Sequence, residues 1–240
     1  MMNDNEKRNA IMRIRSAFAM TAVLLCALVY AAAAVQVSIV PPSQSVAPGE
    51  NFTVDVYVDP EGSAILGVDY VLRFNNSLLN ATNVTRGTFF GGFTTWQISE
   101  INNTLGTVDY GETILGSGSV SESGSLSTIT FQAIALRGLD ELYFQTITVS
   151  DPDGYPLPAN TSNGTVRIGI CGDVNNDGKV TMGDGRLIYL NVIYGDEAYP
   201  IMNPWAADVN CDEKITMGDG RLVYLSVIYG AGEYPLNCCG

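Results

Sequence analysis

The chain has 240 residues, 46% of them apolar, with 12 basic and 25 acidic residues and a formal net charge of −13; that length fills one or two compact cores. Histidine is absent, which excludes histidine-based general-base catalysis and histidine-ligated zinc. The acidic surplus argues against nucleic acid and anionic membrane as partners, because both repel a negative surface.

Lys7, Arg8, Arg13 and Arg15 precede an apolar run from Ala17 to Val35, with small residues at Ala32 and Ala34. This layout predicts an export signal cleaved before Val35, so that residues 1–34 are removed. The run is 19 residues long, enough to cross a bilayer, and an uncleaved membrane anchor is the alternative. Leu24 and Leu25 stand where lipid attachment at Cys26 would call for small residues. Without the signal, 8 basic and 23 acidic residues remain, a net charge of −15. Cys171, Cys211, Cys238 and Cys239 also remain, an even number that points to disulfides in an exported chain. Pairing Cys171 with Cys238 or Cys239 would staple the ends of the last 70 residues. The adjacent C-terminal pair could instead provide free thiols or an intermolecular link.

Residues 35–170 predict a sandwich of about nine strands, jelly-roll-like in type. Phe52, Val54, Val56 and Val58 alternate with Thr53, Asp55 and Tyr57, as a half-buried strand requires. Further strands are expected at Val35–Val40, Ile65–Phe74, Leu79–Thr85, Thr88–Ile98, Thr107–Ile114, Thr128–Leu136, Leu142–Val149 and Thr165–Ile170, each bounded by glycine, proline, serine or asparagine. Asn51, Asn75, Asn80, Asn83, Asn102, Asn160 and Asn163 each begin an N-x-S/T sequon, seven of the nine asparagines in this region, whereas none of the six after Cys171 does. The contrast predicts a glycosylated, secreted or cell-surface domain. The segments Val46–Val54, Phe74–Phe90 and Gly124–Phe131 resemble stretches of cohesin domains: a turn leading into the second strand, a polar turn with a Leu-rich strand ending at glycine, and an apolar closing strand. That resemblance implies a β-sandwich that receives a dockerin.

Residues 171–240 carry the sharpest pattern. Asp173, Asn175, Asp177 and Asp184 occupy positions 1, 3, 5 and 12 of a calcium loop, with Gly178 at the turning position 6. Calcium takes six to eight hard oxygens, and alternate positions of a tight loop supply them. The Lys179 carbonyl at position 7 and Thr181 at position 9 complete the candidate set. Thirty-five residues on, Asp208, Asn210, Asp212, Lys214, Thr216 and Asp219 repeat it, with Glu213 in place of glycine. A left-handed glutamate there would cost about 1–2 kcal/mol, so the second calcium site is expected to be the weaker.

Thr181–Gly195 and Thr216–Gly230 agree at 13 of 15 positions. Each predicts a helix that is apolar nearly all round and stopped by glycine, more apolar surface than two short helices can hide against each other. No helix precedes either loop, unlike a paired EF-hand sensor. The tandem loop-helix pattern resembles type I dockerin modules. That resemblance implies structural calcium and a plug that enters a cohesin through loop positions 10 and 11 and the helix: Met182, Gly183, Arg186 and Leu187 in one copy, and Met217, Gly218, Arg221 and Leu222 in the other. Familiar dockerins often carry small hydroxyl residues where this chain has methionine and glycine. Near-identical copies imply two docking orientations related by a half-turn.

The expected function is a non-catalytic extracellular scaffold or adaptor that binds cohesin- or dockerin-bearing exported proteins, with self-association and a link to polysaccharide binding or degradation as further expectations. One alternative is a carbohydrate-binding module using Phe89, Phe90, Phe93, Trp96 and Tyr110. Another is a small glycosidase pairing Asp69 with Glu112.

Overall fold

A computed structural model describes residues 34–239; the expected export signal lies outside the described residues except for Ala34. The sandwich comprises β1 (Val35–Val40), β2 (Ser43–Val46), β3 (Asn51–Asp59), β4 (Gly67–Arg73), β5 (Leu79–Arg86), β6 (Thr95–Asn102), β7 (Thr107–Ile114), β8 (Gly124–Ala133), β9 (Gly138–Ser150), β10 (Pro156–Leu157), β11 (Ala159–Ser162) and β12 (Gly164–Ile168). One sheet runs β11-β1-β3-β8-β5; the other runs β2-β12-β9-β4-β7-β6, with β10 beside β9.

The expected sandwich is present, with twelve strands rather than nine. The additional β2, β10 and β11 have the sequences SQSV, PL and ANTS, too short and too polar to show a period of two. They are held by pairing with neighbours, as β2 is by its parallel register with β12. The strand expected at Thr88–Ile98 is displaced. Thr88 to Thr94 form turns, and β6 starts at Thr95. Apolar residues mark burial, which a turn can also provide: Phe89 and Phe90 enter the core from that turn and stack edge to face.

The core lies between the two sheets. Phe52, Val54, Val56 and Val58 are buried while Asn51 and Thr53 face solvent, confirming the alternation along β3. Phe52 stacks on Phe131 of the paired β8 at 5.6 Å. The largest polar side chains inside are paired: the Tyr70 hydroxyl lies 2.7 Å from Ser127 Oγ, and Tyr110 donates to Glu112, which also takes Arg86 Nε at 2.5 Å. Burial pushes both tyrosine hydroxyls well above the ordinary phenol range, with the Glu112 carboxylate adding to the effect at Tyr110.

β12 passes into the last module without a linker. Gly169 donates its N–H to Val46 O at 3.0 Å, and Cys171 is disulfide-bonded to Cys238 across a Cα–Cα distance of 5.6 Å. Cys211 pairs with Cys239, so the adjacent C-terminal cysteines each reach a different partner and the staple expected from the sequence forms. The module contains α1 (Met182–Tyr194), α2 (Pro204–Ala207) and α3 (Met217–Tyr229); the single turn α2, opened by a proline at its start, stands directly before Asp208, so the expectation that no helix precedes either loop fails at the second. Its small core gathers Val174, Ile188, Ala207, Val209 and Val223.

α1 and α3 touch at their glycines. A Cβ on Gly185 would stand 2.9 Å from Gly220 O, and one on Gly220 would stand 3.0 Å from Gly185 O. Tyr189 and Tyr224 pack beside this crossing with ring centroids 5.7 Å apart. Gly185 and Gly220 occupy equivalent places in the two copies, so the contact relates the helices symmetrically. Alanine at Gly185 or Gly220 forces the helices apart. We expect either substitution to destabilise the module by about 1–3 kcal/mol in urea denaturation with calcium present, while Gly183→Ala, at an exposed glycine, has a much smaller effect.

Candidate calcium loops and docking faces

Each loop runs directly into its helix, and the same residues serve both. Thr181 caps α1, accepting the Gly183 N–H at 3.0 Å, while its own N–H donates to Asp184 Oδ2 at 2.9 Å. This capping box satisfies donors that an isolated helix start leaves open. The other oxygen of Asp184 accepts the N–H groups of Val174 and Asn175 at 2.9 and 3.2 Å. Fully buried Asp184 thus ties the loop's beginning to its end. Asp219 does the same in the second copy, accepting Thr216 N–H at 2.8 Å and Val209 N–H at 3.2 Å.

The first-position carboxylates turn the loops. Asp173 accepts N–H groups from Asp177 and Gly178 at 3.1 and 2.9 Å; Asp208 accepts those of Asp212 and Glu213 at 3.1 and 2.9 Å. Asn175 and Asp177 sit within hydrogen-bond reach of each other, as do Asn210 and Asp212. Burial raises the pKa of Asp173, and the nearby Asp184 and Asp177 charges raise it further. Mutual repulsion of this kind is what a divalent cation relieves.

Among the described residues, no three histidine, cysteine, aspartate or glutamate side chains gather into a metal cluster. A calcium loop differs from such a cluster in drawing on amide, hydroxyl and carbonyl oxygens as well as carboxylates. The residues present fit that mixed set: Asp173, Asn175, Asp177 and Asp184, with the Lys179 carbonyl and Thr181, and their counterparts Asp208, Asn210, Asp212, Asp219, Lys214 and Thr216.

Gly178 has φ 85° and Glu213 φ 64°, so the glutamate does adopt the left-handed conformation. Position 4 is left-handed in both loops as well, at Asn176 with φ 57° and Cys211 with φ 61°. We expect Glu213→Gly to stabilise the module by about 0.5–1 kcal/mol, the relief of left-handed strain less the entropy of a glycine in the unfolded chain. Calcium titration followed by thermal melting checks this, with Gly178→Glu moving the other way.

The docking residues implied by the dockerin resemblance occupy several environments. Met182, Gly183 and Arg186 are exposed, as are Met217, Gly218 and Arg221. Leu187 and Leu222 are instead half-buried against the module core. The exposed face continues past the residues named from sequence. Met182, Ile193 and Tyr194 are 48%, 54% and 63% exposed, and Met217, Ile228 and Tyr229 are 45%, 53% and 62% exposed. The near-equality makes two equivalent apolar stripes. Ile193 and Ile228 lie eleven residues after Met182 and Met217, about three helical turns, and that spacing was available in the sequence.

On the sandwich, the outer side of β4, β7 and β6 carries a shallow groove lined by Asp69, Trp96, Ile98 and Gly111 among others. Trp96 and Ile98 are 57% and 51% exposed. Gly111 leaves room for its neighbours, since a Cβ there would meet Asp69 Oδ2 at 2.8 Å. Burial, and secondarily the charge of Asp109, raises the pKa of Asp69. The pairing of Asp69 with Glu112 as catalytic carboxylates fails geometrically. Asp69 is registered with Gly111 on the outer face, whereas Glu112 lies on the core face bonded to Arg86 and Tyr110. Of the five rings proposed for sugar stacking, Phe89, Phe90 and Tyr110 are core, so no planar aromatic strip forms from them.

Comparison with known proteins identifies the two domains. A family model for the cohesin domain matches residues 35–168, and one for the type I dockerin domain matches residues 171–224. The chain belongs to the cohesin family and carries a type I dockerin after its cohesin domain; both are non-catalytic interaction domains, and type I dockerins typically bind calcium. Among solved structures, a type I cohesin–dockerin complex from Clostridium thermocellum is 13% identical, with a TM-score of 0.50 and coverage of 57% of this chain and 95% of that one. A non-cellulosomal cohesin from the hyperthermophilic archaeon Archaeoglobus fulgidus is 23% identical over 57% of this chain and 91% of that one, with a TM-score of 0.46. No curated protein matches the chain.

Proposed function

We propose that this protein is an extracellular, non-catalytic adaptor that joins exported proteins through a dockerin plug and a cohesin socket on one chain. The observation that carries the reading is the pair of equivalent exposed stripes, Met182 to Tyr194 and Met217 to Tyr229, on a module whose domain class serves docking. Large exposed apolar patches on a folded module mark interaction surfaces. In this reading calcium occupies both loops, holds the helices in place, and binds more weakly at the Glu213 loop. Gly183, Arg186, Gly218 and Arg221 border the stripes and contact the partner cohesin.

The socket in this reading is the outer side of β9, β4, β7 and β6, centred on Trp96 and Ile98. Four of the seven sequon asparagines, Asn51, Asn80, Asn83 and Asn160, lie on strands of the opposite sheet, whereas Asn102 ends β6 of the socket sheet, so a sugar there would border the socket. Partners are cohesin- or dockerin-bearing exported proteins, including polysaccharide-degrading enzymes. A second copy of the chain is also a partner, because Arg186 and Arg221 complement Asp69 and Asp109 in charge. Plug-to-socket contact between copies would be heterologous and open-ended.

Sedimentation with a partner cohesin, in calcium and then in chelator, tests the adaptor reading. A calcium-dependent complex is expected, and a monomer in both conditions contradicts it. Duplication adds a sharper expectation. Met182→Asp alone leaves the second orientation available and weakens binding about twofold, whereas Met182→Asp with Met217→Asp weakens it about thirtyfold to a hundredfold, the loss of roughly 2–3 kcal/mol expected of a central contact. Equal loss from the single and double variants would show one orientation only.

A further inference from the structure

A cleft of about 320 Å³ opens between the sandwich and the dockerin module, lined by Arg137, Leu139, Arg167, Asn203 and Trp205. Two of the eight basic residues after the signal face it, in a region with 23 acidic ones. Yet among the described residues the ion pair present is Arg86 with Glu112; neither Arg137 nor Arg167 has a carboxylate within reach. Arg137 donates to the carbonyl of Met202 at 3.1 Å. The guanidinium of Arg167 lies over the Trp205 ring, 5.3 Å from its centroid, and its Nε is buried without a hydrogen-bond partner.

A partly desolvated guanidinium without a carboxylate partner favours an anion; the Nε of Arg167 is shielded, so its terminal nitrogens are the donors that a ligand would meet. Two arginines converging on one cleft suit a carboxylate, which accepts paired N–H donors in a plane. We propose that this cleft binds an acidic side chain on an extended peptide segment of a partner protein, with Arg137 and Arg167 holding the carboxylate and exposed Leu139 receiving an adjacent apolar side chain. Trp205 is already packed: Arg167 covers it, and Gly169 backs against its benzo edge, where a Cβ would stand 3.1 Å from Cζ3. That leaves the ring poorly placed to stack on a sugar and favours a peptide. Because the arginines belong to the sandwich and Asn203 and Trp205 to the dockerin, the bound segment would bridge both domains.

The test uses the full calcium-loaded chain and follows the indole N–H signal of Trp205 by NMR, with Trp96→Phe to assign it. The probes are acetyl-Leu-Glu-Leu-amide, its Gln counterpart, and galacturonate. The glutamate peptide is expected to shift the signal saturably and to bind at least tenfold tighter than the glutamine peptide and galacturonate. Arg137→Gln, at an exposed side chain, and Arg167→Gln should each weaken it at least tenfold, and added salt should weaken it further. Equal binding of the Glu and Gln peptides overturns the carboxylate assignment, as does undiminished binding in Arg137→Gln. Galacturonate binding as tightly as the peptide overturns the choice of peptide.

Discussion

A buried aspartate at the last loop position governs the dockerin half of the molecule. Asp184 and Asp219 each close a candidate calcium loop onto its first residues and complete the capping box of the helix that follows. Loop closure and helix nucleation are separately unfavourable in a short segment, because each fixes several backbone dihedrals before contacts compensate. One carboxylate does both, so the helix begins at a fixed place and angle relative to the loop.

Everything presented by the module follows from where those helices start. With both helix starts held in place, α1 and α3 cross at Gly185 and Gly220, and the glycines allow the close approach that brings Tyr189 and Tyr224 together. The inward faces supply a core of only a few side chains, small for an independent unit. Disulfides at Cys171–Cys238 and Cys211–Cys239 make up part of the deficit by restricting the unfolded chain. The outward faces keep exposed apolar side chains, Tyr194 and Tyr229 packing against Tyr199 and Tyr234, which is why the helices read as apolar all round.

The repeat was legible because its chemistry is local: ligand positions, caps and stop glycines lie within a few residues of one another. Sandwich strands were legible where burial alternates, as in β3, and illegible where pairing alone holds them, as in β2 and β11. Phe89 and Phe90 misled because a turn inserts them into the core. Asp69 and Glu112 looked like a pair only until the pleat placed them on opposite faces. Leu187 and Leu222 show the same limit on a helix, since identical repeats reveal which residues are equivalent but not which side faces inward. The junction had no sequence signal beyond its shortness. Trp205 over Gly169, beneath Arg167, is long-range packing that no local pattern encodes.

In the proposed reading, calcium in the loops, acting through Asp184 and Asp219, sets the positions of α1 and α3, while the sandwich stands on its own core. Amide hydrogen exchange on the full chain, with calcium and then with chelator, tests it most directly. The account predicts that chelation strips protection from α1 and α3 and leaves the paired strands β3 and β8 protected. Unchanged protection in both helices without calcium would contradict it.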